Sequence, residues 1–338
     1  MLFKTTEEFK QYVPVNVNFT LDQIAPYCRK VERDFLAKDI CMGSAQYTEL
    51  HDAYNSATEL NAALTALLSY AQELVASFAF VGWITSGQLD ISDVGIRINS
   101  NENQKTAFQW QIEDLKSDWI GNGYSAQEAL LKFLKENEGD YNEWVNSDSY
   151  TQVYKQFLFT GAADFNTYFN IQGSRRTYAA LANIMRMVEA LYIAPTVSPE
   201  YLVELKSKFY GDTAILAEDT ALLFDLKSAI ANLVICHATK TLPVEVAGDG
   251  IVINSFIATY GTIKQKEPAT VALLKRLEQE SQILGNSFLS KVRATLNTDA
   301  TASVYATYFG SGLYDDPAAE GDDRNEWVNG EDFGQVVI

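Results

Sequence analysis

Apolar residues recur at every third or fourth position through most of the chain, the spacing of helices that bury one face. The spacing predicts a short helix over residues 3 to 12, with Thr5 or Thr6 as N-cap and Glu8 in its first turn. A second helix follows Thr20, with Ile24, Tyr27, Val31 and Phe35 on its apolar face. A third opens at Ser44 and carries Tyr47, Leu50 and Tyr54. The fourth, from about 58 to 84, has a broad stripe: Leu60, Leu64, Leu67, Leu68, Ala71, Leu74, Val75 and Phe78. That width suits the centre of a bundle, and Gly87 ends it. The period then switches to alternation in Leu89–Ile98 around a polar turn, which predicts a β-hairpin with Gly95 at a position that favours a bare backbone. A helix from about Asn103 to Trp119 follows, broken by Gly121-Asn122-Gly123. Ser125 and Glu128 form a capping-box pattern ahead of a further apolar run. Tyr141, Trp144, Val153, Tyr154 and Phe157 close this half.

The pattern then starts again. Gly95-Ile96-Arg97-Ile98-Asn99-Ser100 returns as Gly250-Ile251-Val252-Ile253-Asn254-Ser255, 155 residues later. At the same offset Leu67-Leu68 meets Leu222-Leu223, and Val75, Phe78 and Phe80 meet Ile230, Leu233 and Ile235. At drifting offsets Phe3 and Phe9 meet Phe159 and Phe165, and Arg29-Lys30-Val31-Glu32 meets Arg186-Met187-Val188-Glu189. Ser44 and Tyr47 meet Ser198 and Tyr201. An ordered series of this kind marks an internal repeat. The expected fold is mainly α: two tandem helical-bundle repeats, residues 1–155 and 156–311, each with a small β-hairpin closed by Gly95, Ile96, Ile98 and Asn99 or by Gly250, Ile251, Ile253 and Asn254. Residues 312–338 are expected to form an extended acidic C-terminal arm, because eight acidic residues there face only Arg324.

Composition narrows the function. A formal net charge of −18 repels phosphate backbones and anionic lipid, so neither general nucleic-acid binding nor a membrane partner is expected. Cys28, Cys41 and Cys236 do not make a disulfide framework and suit buried thiols in a reducing compartment. The apolar region from Leu74 to Ile84 is short for a bilayer span and is interrupted by Ser77 and Gly82. A soluble chain made in the cytoplasm is therefore expected.

Candidate chemistry is sparse. His51 and His237 are the two histidines, and Cys236 and His237 are neighbours on a predicted helix, where adjacent side chains point about 100° apart. No spaced Cys/His set suggests zinc, and no phosphate loop or nucleophile elbow occurs. The acidic pairs Asp315-Asp316 and Asp322-Asp323 lie in the tail and fit neither a helix-borne metal pair nor an EF-hand loop. No catalytic residue, cofactor or metal is assigned. Trp119, Trp144 and Trp327, near breaks or in the tail, are candidate interface anchors together with Phe333, since aromatic residues favour buried contact centres.

Short helices with one hairpin and an empty catalytic inventory resemble the head–tail adaptor (connector) proteins of tailed bacteriophages. The segments Glu128–Trp144 and Phe165–Asn170 also resemble an uncharacterised family of Bacteroidetes phages and prophages. The first resemblance implies a ring of copies, usually dodecameric, in the virion neck. Its partners would be the portal protein and the tail or further neck proteins, with DNA passing through without specific binding. The protein would be assembled in the bacterial host cytoplasm. Adaptors of this type generally have one domain, so the duplication departs from their pattern. The competing expectation is a cytosolic helical scaffold or binding module without catalytic activity.

Overall fold

A computed structural model describes residues 1–38, 41–56, 59–87, 107–211, 215–241 and 271–317, and the backbone of short strands within 89–98, 244–253 and 258–266. The protein is mainly helical, and extended backbone among the described residues is confined to two-stranded pairs in those three stretches. Two compact units form, one from Met1–Asn183 with His237–Glu278, the other from Ile184–Cys236 with Gln279–Ile338.

The first unit holds α1 (Thr6–Lys10), α2 (Leu21–Val31), α3 (Ser44–Asn55), α4 (Ala62–Ser86), α5 (Gln109–Glu136), α6 (Asn142–Val145), α7 (Asp148–Tyr154), α8 (Ala162–Tyr168) and the start of α9 (Arg175–Val188). The capping box at α1 is as expected: the Glu8 N–H donates to Thr5 Oγ1 at 3.2 Å, and the Thr5 N–H donates to Glu8 Oε2 at 3.2 Å. Phe9 is fully buried against Phe3, with ring centroids 5.2 Å apart. Phe159 and Phe165 repeat that pair at 5.0 Å.

Three expectations need correction. The fourth helix starts at Ala62, capped by Asn61 Oδ1 on the Leu64 N–H at 2.7 Å, so Leu60 lies before it. Gly121-Asn122-Gly123 does not break the chain, because α5 runs through it without interruption. Gly123 sits against Phe78 of α4, and a Cβ there would lie 2.7 Å from the ring. The glycine therefore permits close helix packing, which outweighs its propensity cost of about 1 kcal/mol. Nor do Ser125 and Glu128 cap a helix of their own. Glu128 reaches α9 instead and accepts the N–H groups of Arg175 and Arg176, each at 2.9 Å. The expected helix start at Asn103 lies outside the described residues.

The second unit holds the rest of α9, α10 (Ala194–Val197), α11 (Pro199–Phe209), most of α12 (Ala217–Thr241), the larger part of α13 (Val271–Asp299) and α14 (Ala306–Phe309). Its core gathers Tyr201, Tyr305 and Tyr308, with Tyr201 donating to Asp219 at 3.2 Å. Gly285 of α13 meets Leu233 of α12 as Gly123 meets Phe78, and a Cβ there would lie 2.6 Å from Leu233 Cγ. Residues 78 and 233 are 155 apart, so the two long-helix pairs share one close contact.

A further shared device was not visible beforehand. Helix α2 continues into a π-helical turn at Glu32–Leu36, and α9 continues into another at Glu189–Ile193. Ile24, Cys28, Glu32 and Leu36 are buried, as are Leu181, Met185, Glu189 and Ile193. Burial at every fourth residue drifts by about 40° per step on an α-helix of 3.6 residues per turn. The wider π-turn takes up that drift and keeps the row facing the core.

Helices α4 and α12 are each 25 residues long and apolar enough to cross a membrane, which corrects the shorter span expected for α4. More than half of that apolar stretch in α4, and most of it in α12, is buried inside the protein, as for core helices of a bundle. The expected boundary near residue 155 falls inside the first compact unit. Tyr178 of α9 stacks there on Tyr154 of α7, at 6.3 Å.

Candidate functional site

The buried carboxylates serve the helices that carry them. Glu32 accepts the Leu2 N–H at 2.7 Å and the Tyr47 O–H at 2.9 Å. Glu189 accepts Lys206 Nζ at 2.6 Å, and burial holds its carboxyl above the ordinary value against that cation. Asp219 accepts the Tyr201 O–H at 3.2 Å, the Leu216 N–H at 3.2 Å and Lys208 Nζ at 3.1 Å, so it ties the start of α12 to α11. Asp225 pairs with Lys291 across α12 and α13 at 2.9 Å. Burial pushes the thiols of Cys28 and Cys41 up to about 12, which makes them poor nucleophiles at neutral pH. Cys236 is also buried, and its Sγ lies 3.1 Å from Gln282 Oε1. Burial, with Lys240 nearby, lowers the pKa of the half-buried His237. Among the described residues, no group of three or more His, Cys, Asp or Glu is placed to hold a metal ion.

The expected interface anchors separate. Trp144 is 2% exposed and packs on Tyr150 at 4.8 Å and Tyr154 at 5.8 Å, so it belongs to the core and offers no surface. Its neighbours supply the reason: Tyr141, Tyr150 and Tyr154 close around it as one aromatic cluster. Trp119 is half-buried, edge-on to Phe80 at 5.0 Å. It lines a polar cavity of about 260 Å³ with Gln11, Tyr12, Glu73, Ser77 and Asn122. Trp327, Phe333, Asn99 and Asn254 lie outside the described residues. For Gly95, Ile96, Ile98, Gly250, Ile251 and Ile253 the description stops at strand backbone.

The sequence reading missed a groove. It placed Tyr27, Val31 and Phe35 on the core face with Ile24. The π-turn row takes that place instead, and the three side chains form one wall of an apolar groove of about 390 Å³. Phe78, Val81 and Gly82 of α4 form the other wall. The rings of Phe35 and Phe78 lie 4.6 Å apart, and the Tyr27 hydroxyl is hydrogen-bonded to Ser86 near its end. A Cβ on Gly82 would meet the Tyr27 ring at 2.8 Å, so the groove has bare backbone at that point. The four-residue spacing of Ile24, Cys28, Glu32 and Leu36 was the signal that could have separated the two faces. Phe108 and Trp110 are also largely exposed, at the start of α5.

A family of unknown function, DUF6712, matches residues 38–154 and again residues 193–318. The chain belongs to this family. In this DUF6712 protein the two matched segments begin 155 residues apart, the offset of the repeated Gly-Ile-x-Ile-Asn stretch. One family matched twice in order, on helices that repeat in order, makes the chain an internal duplication. The matches leave out α1 and α2, and likewise α8 and α9 with the π-turn of each repeat. No curated protein and no solved structure matches the chain.

Proposed function

We propose that this DUF6712 protein is a non-enzymatic structural part of a phage virion neck, an adaptor ring below the portal that joins capsid to tail and extends the DNA channel. The observation that carries the reading is the use made of the buried polar groups. Glu32, Glu128, Asp219 and Asp225 each fasten one helix to another, in a duplicated bundle closed twice by the same glycine contact. That is chemistry spent on rigidity, as a load-bearing joint requires. The resemblance to head–tail adaptors points the same way. An excess of acid, −18 overall, suits a channel through which DNA must slide without sticking.

In this reading the Gly-Ile-x-Ile-Asn stretches are equivalent hairpins, one per repeat, with the repeat boundary near residue 155. Identical pairing supports it: Leu89 stands opposite Ile98 and Ser92 opposite Gly95, as Val244 stands opposite Ile253 and Ala247 opposite Gly250. Residues 312–338 are the acidic arm. Its first part is seated, since Tyr314 packs on Tyr308 and the Asp315 N–H donates to Asn297 Oδ1 at 3.3 Å.

Two measurements test the proposal. Negative-stain images of the concentrated protein, alone and with portal rings from the same genome, should show rings or decorated portals. Mass spectrometry of purified virions from that genome should find the protein in stoichiometric amount. Its absence from virions would overturn the proposal.

A further inference from the structure

We propose that the groove between α2 and α4 receives the acidic, aromatic C-terminal segment, residues 318–338, of a second copy of the chain. The inference rests on the reading that copies associate, and it names the contact that joins them.

The groove calls for an apolar occupant. Tyr27, Val31, Phe35, Phe78 and Val81 present half-buried side chains to it, and Gly82 leaves room for backbone to approach. Its volume of about 390 Å³ is in the range of sites that hold one large aromatic group and its neighbours.

The rim calls for an acidic occupant. Arg29, Lys30, Arg33 and Lys38 are exposed within ten residues of α2 and its π-turn, in a chain with only 26 basic residues against 44 acidic ones. Of the two acids among them, Glu32 is buried and accepts hydrogen bonds inside the bundle. Asp34 is held by Arg33 at 2.7 Å, and its carboxyl lies below the ordinary value through Arg33, with further pull from Lys30 and Lys38.

Residues 318–338 meet both demands. They contain six acids against Arg324, and acids stand directly before each aromatic residue, in Glu326-Trp327 and in Glu331-Asp332-Phe333. Val336, Val337 and Ile338 add apolar surface. An indole or phenyl ring in the groove would bring these acids to the basic rim.

The second repeat does not offer the same rim. At the positions equivalent to Lys30, Arg33, Asp34 and Lys38 it has Met187, Ala190, Leu191 and Pro195, and His237 replaces Gly82. Each chain thus carries one acceptor and one donor segment. A contact between two different patches is heterologous, and it closes into a ring when the rotation allows.

The test uses the full chain. One preparation carries the photo-crosslinker p-benzoylphenylalanine in place of Trp327, and it is mixed with an equal amount of 15N-labelled wild-type chain. After irradiation, cross-linked peptides are mapped by mass spectrometry. The expected result is an unlabelled tail joined to labelled peptides that contain Tyr27–Phe35 or Phe78–Gly82. Lys30→Glu with Arg33→Glu, and separately Val81→Asp, should each lower that yield at least tenfold with an unchanged circular dichroism spectrum. Cross-links confined to unlabelled acceptor peptides would place the tail on its own chain and overturn the proposal. Cross-links elsewhere, no cross-link, or a yield indifferent to both variants would also overturn it. Particle shape separates the two readings. Labelled cross-links without rings would overturn the ring and keep this contact, whereas rings without groove cross-links would do the reverse.

Discussion

Glu32 and Glu189 occupy the same place in the two repeats, the first residue of a π-turn, and both are almost fully buried. Their partners differ. Glu32 accepts two neutral donors, the Leu2 N–H and the Tyr47 O–H, with the Met1 ammonium 3.7 Å away. Glu189 accepts one cation, Lys206, and its Oε1 is buried without a hydrogen bond. Tyr201, the counterpart of Tyr47, has turned to Asp219 instead. The duplication has therefore kept the backbone device and the inward carboxylate, while the means of satisfying that carboxylate has changed. A buried acid tolerates such exchange provided that hydrogen bonds or an opposite charge replace the water it loses.

The largest effect should come from removing the cation. Lys206→Met leaves a buried carboxylate alone and should cost about 3 kcal/mol at pH 7 by chemical denaturation. Glu189 has a raised value when folded, so its charge penalises folding above that value and the penalty fades as the group takes up a proton. The deficit of Lys206→Met should accordingly shrink on acidification from neutrality. An equal deficit at pH 8 and pH 5 would show that the charge is not the cause.

The glycine contacts come next. Gly285→Ala places a methyl against Leu233 Cγ at 2.6 Å with the Leu233 backbone N at 3.3 Å, so little can retreat, and about 2 kcal/mol should be lost. Gly123→Ala meets only the far end of the Phe78 ring, which borders the open groove. It should cost less than about 1 kcal/mol, because the helix gains nearly that much from losing a glycine. Thermal denaturation of the two variants side by side checks the ranking, and equal losses would contradict it.

Smaller again is Tyr47→Phe, which removes one neutral donor from Glu32 and should cost about 1 kcal/mol in denaturant titration. The smallest effect should be Glu128→Gln. The amide can still accept from the start of α9 but loses the charge that favours a helix N-terminus, about 0.5 kcal/mol at low salt. High salt should erase that difference, and a salt-independent loss would point to a disturbed cap.

How much of this was legible follows from the range of each signal. The long helices and the repeat could be read because periodicity and the 155-residue offset are properties of the chain itself. Gly121-Asn122-Gly123 misled because its meaning lies in Phe78, a residue on another helix that no local pattern reveals. Ser125 and Glu128 misled for the same reason: the motif was sound, but its carboxylate caps a helix 47 residues further on. Trp144 was read as surface because it follows a break, yet three tyrosines close over it. The groove was hidden by a faulty choice of face, since Tyr27, Val31 and Phe35 share a helical spacing as regular as the row that is buried.

The two π-turns bear on which lengths of chain can change. Between the repeats the offset is 157 at these turns and 155 at the long helices, so the connection after the turn has changed by two residues without altering either element. Inside the turn no such freedom exists. Deleting one residue from Glu32–Leu36 would restore an ordinary α-ladder and rotate all that follows by about 100°. Leu36 would swing off the core, and the approach to α3 would be misaimed. Insertions and deletions should therefore gather in the connections and be excluded from these five-residue windows, which act as fixed rulers in a chain otherwise tolerant of changed length.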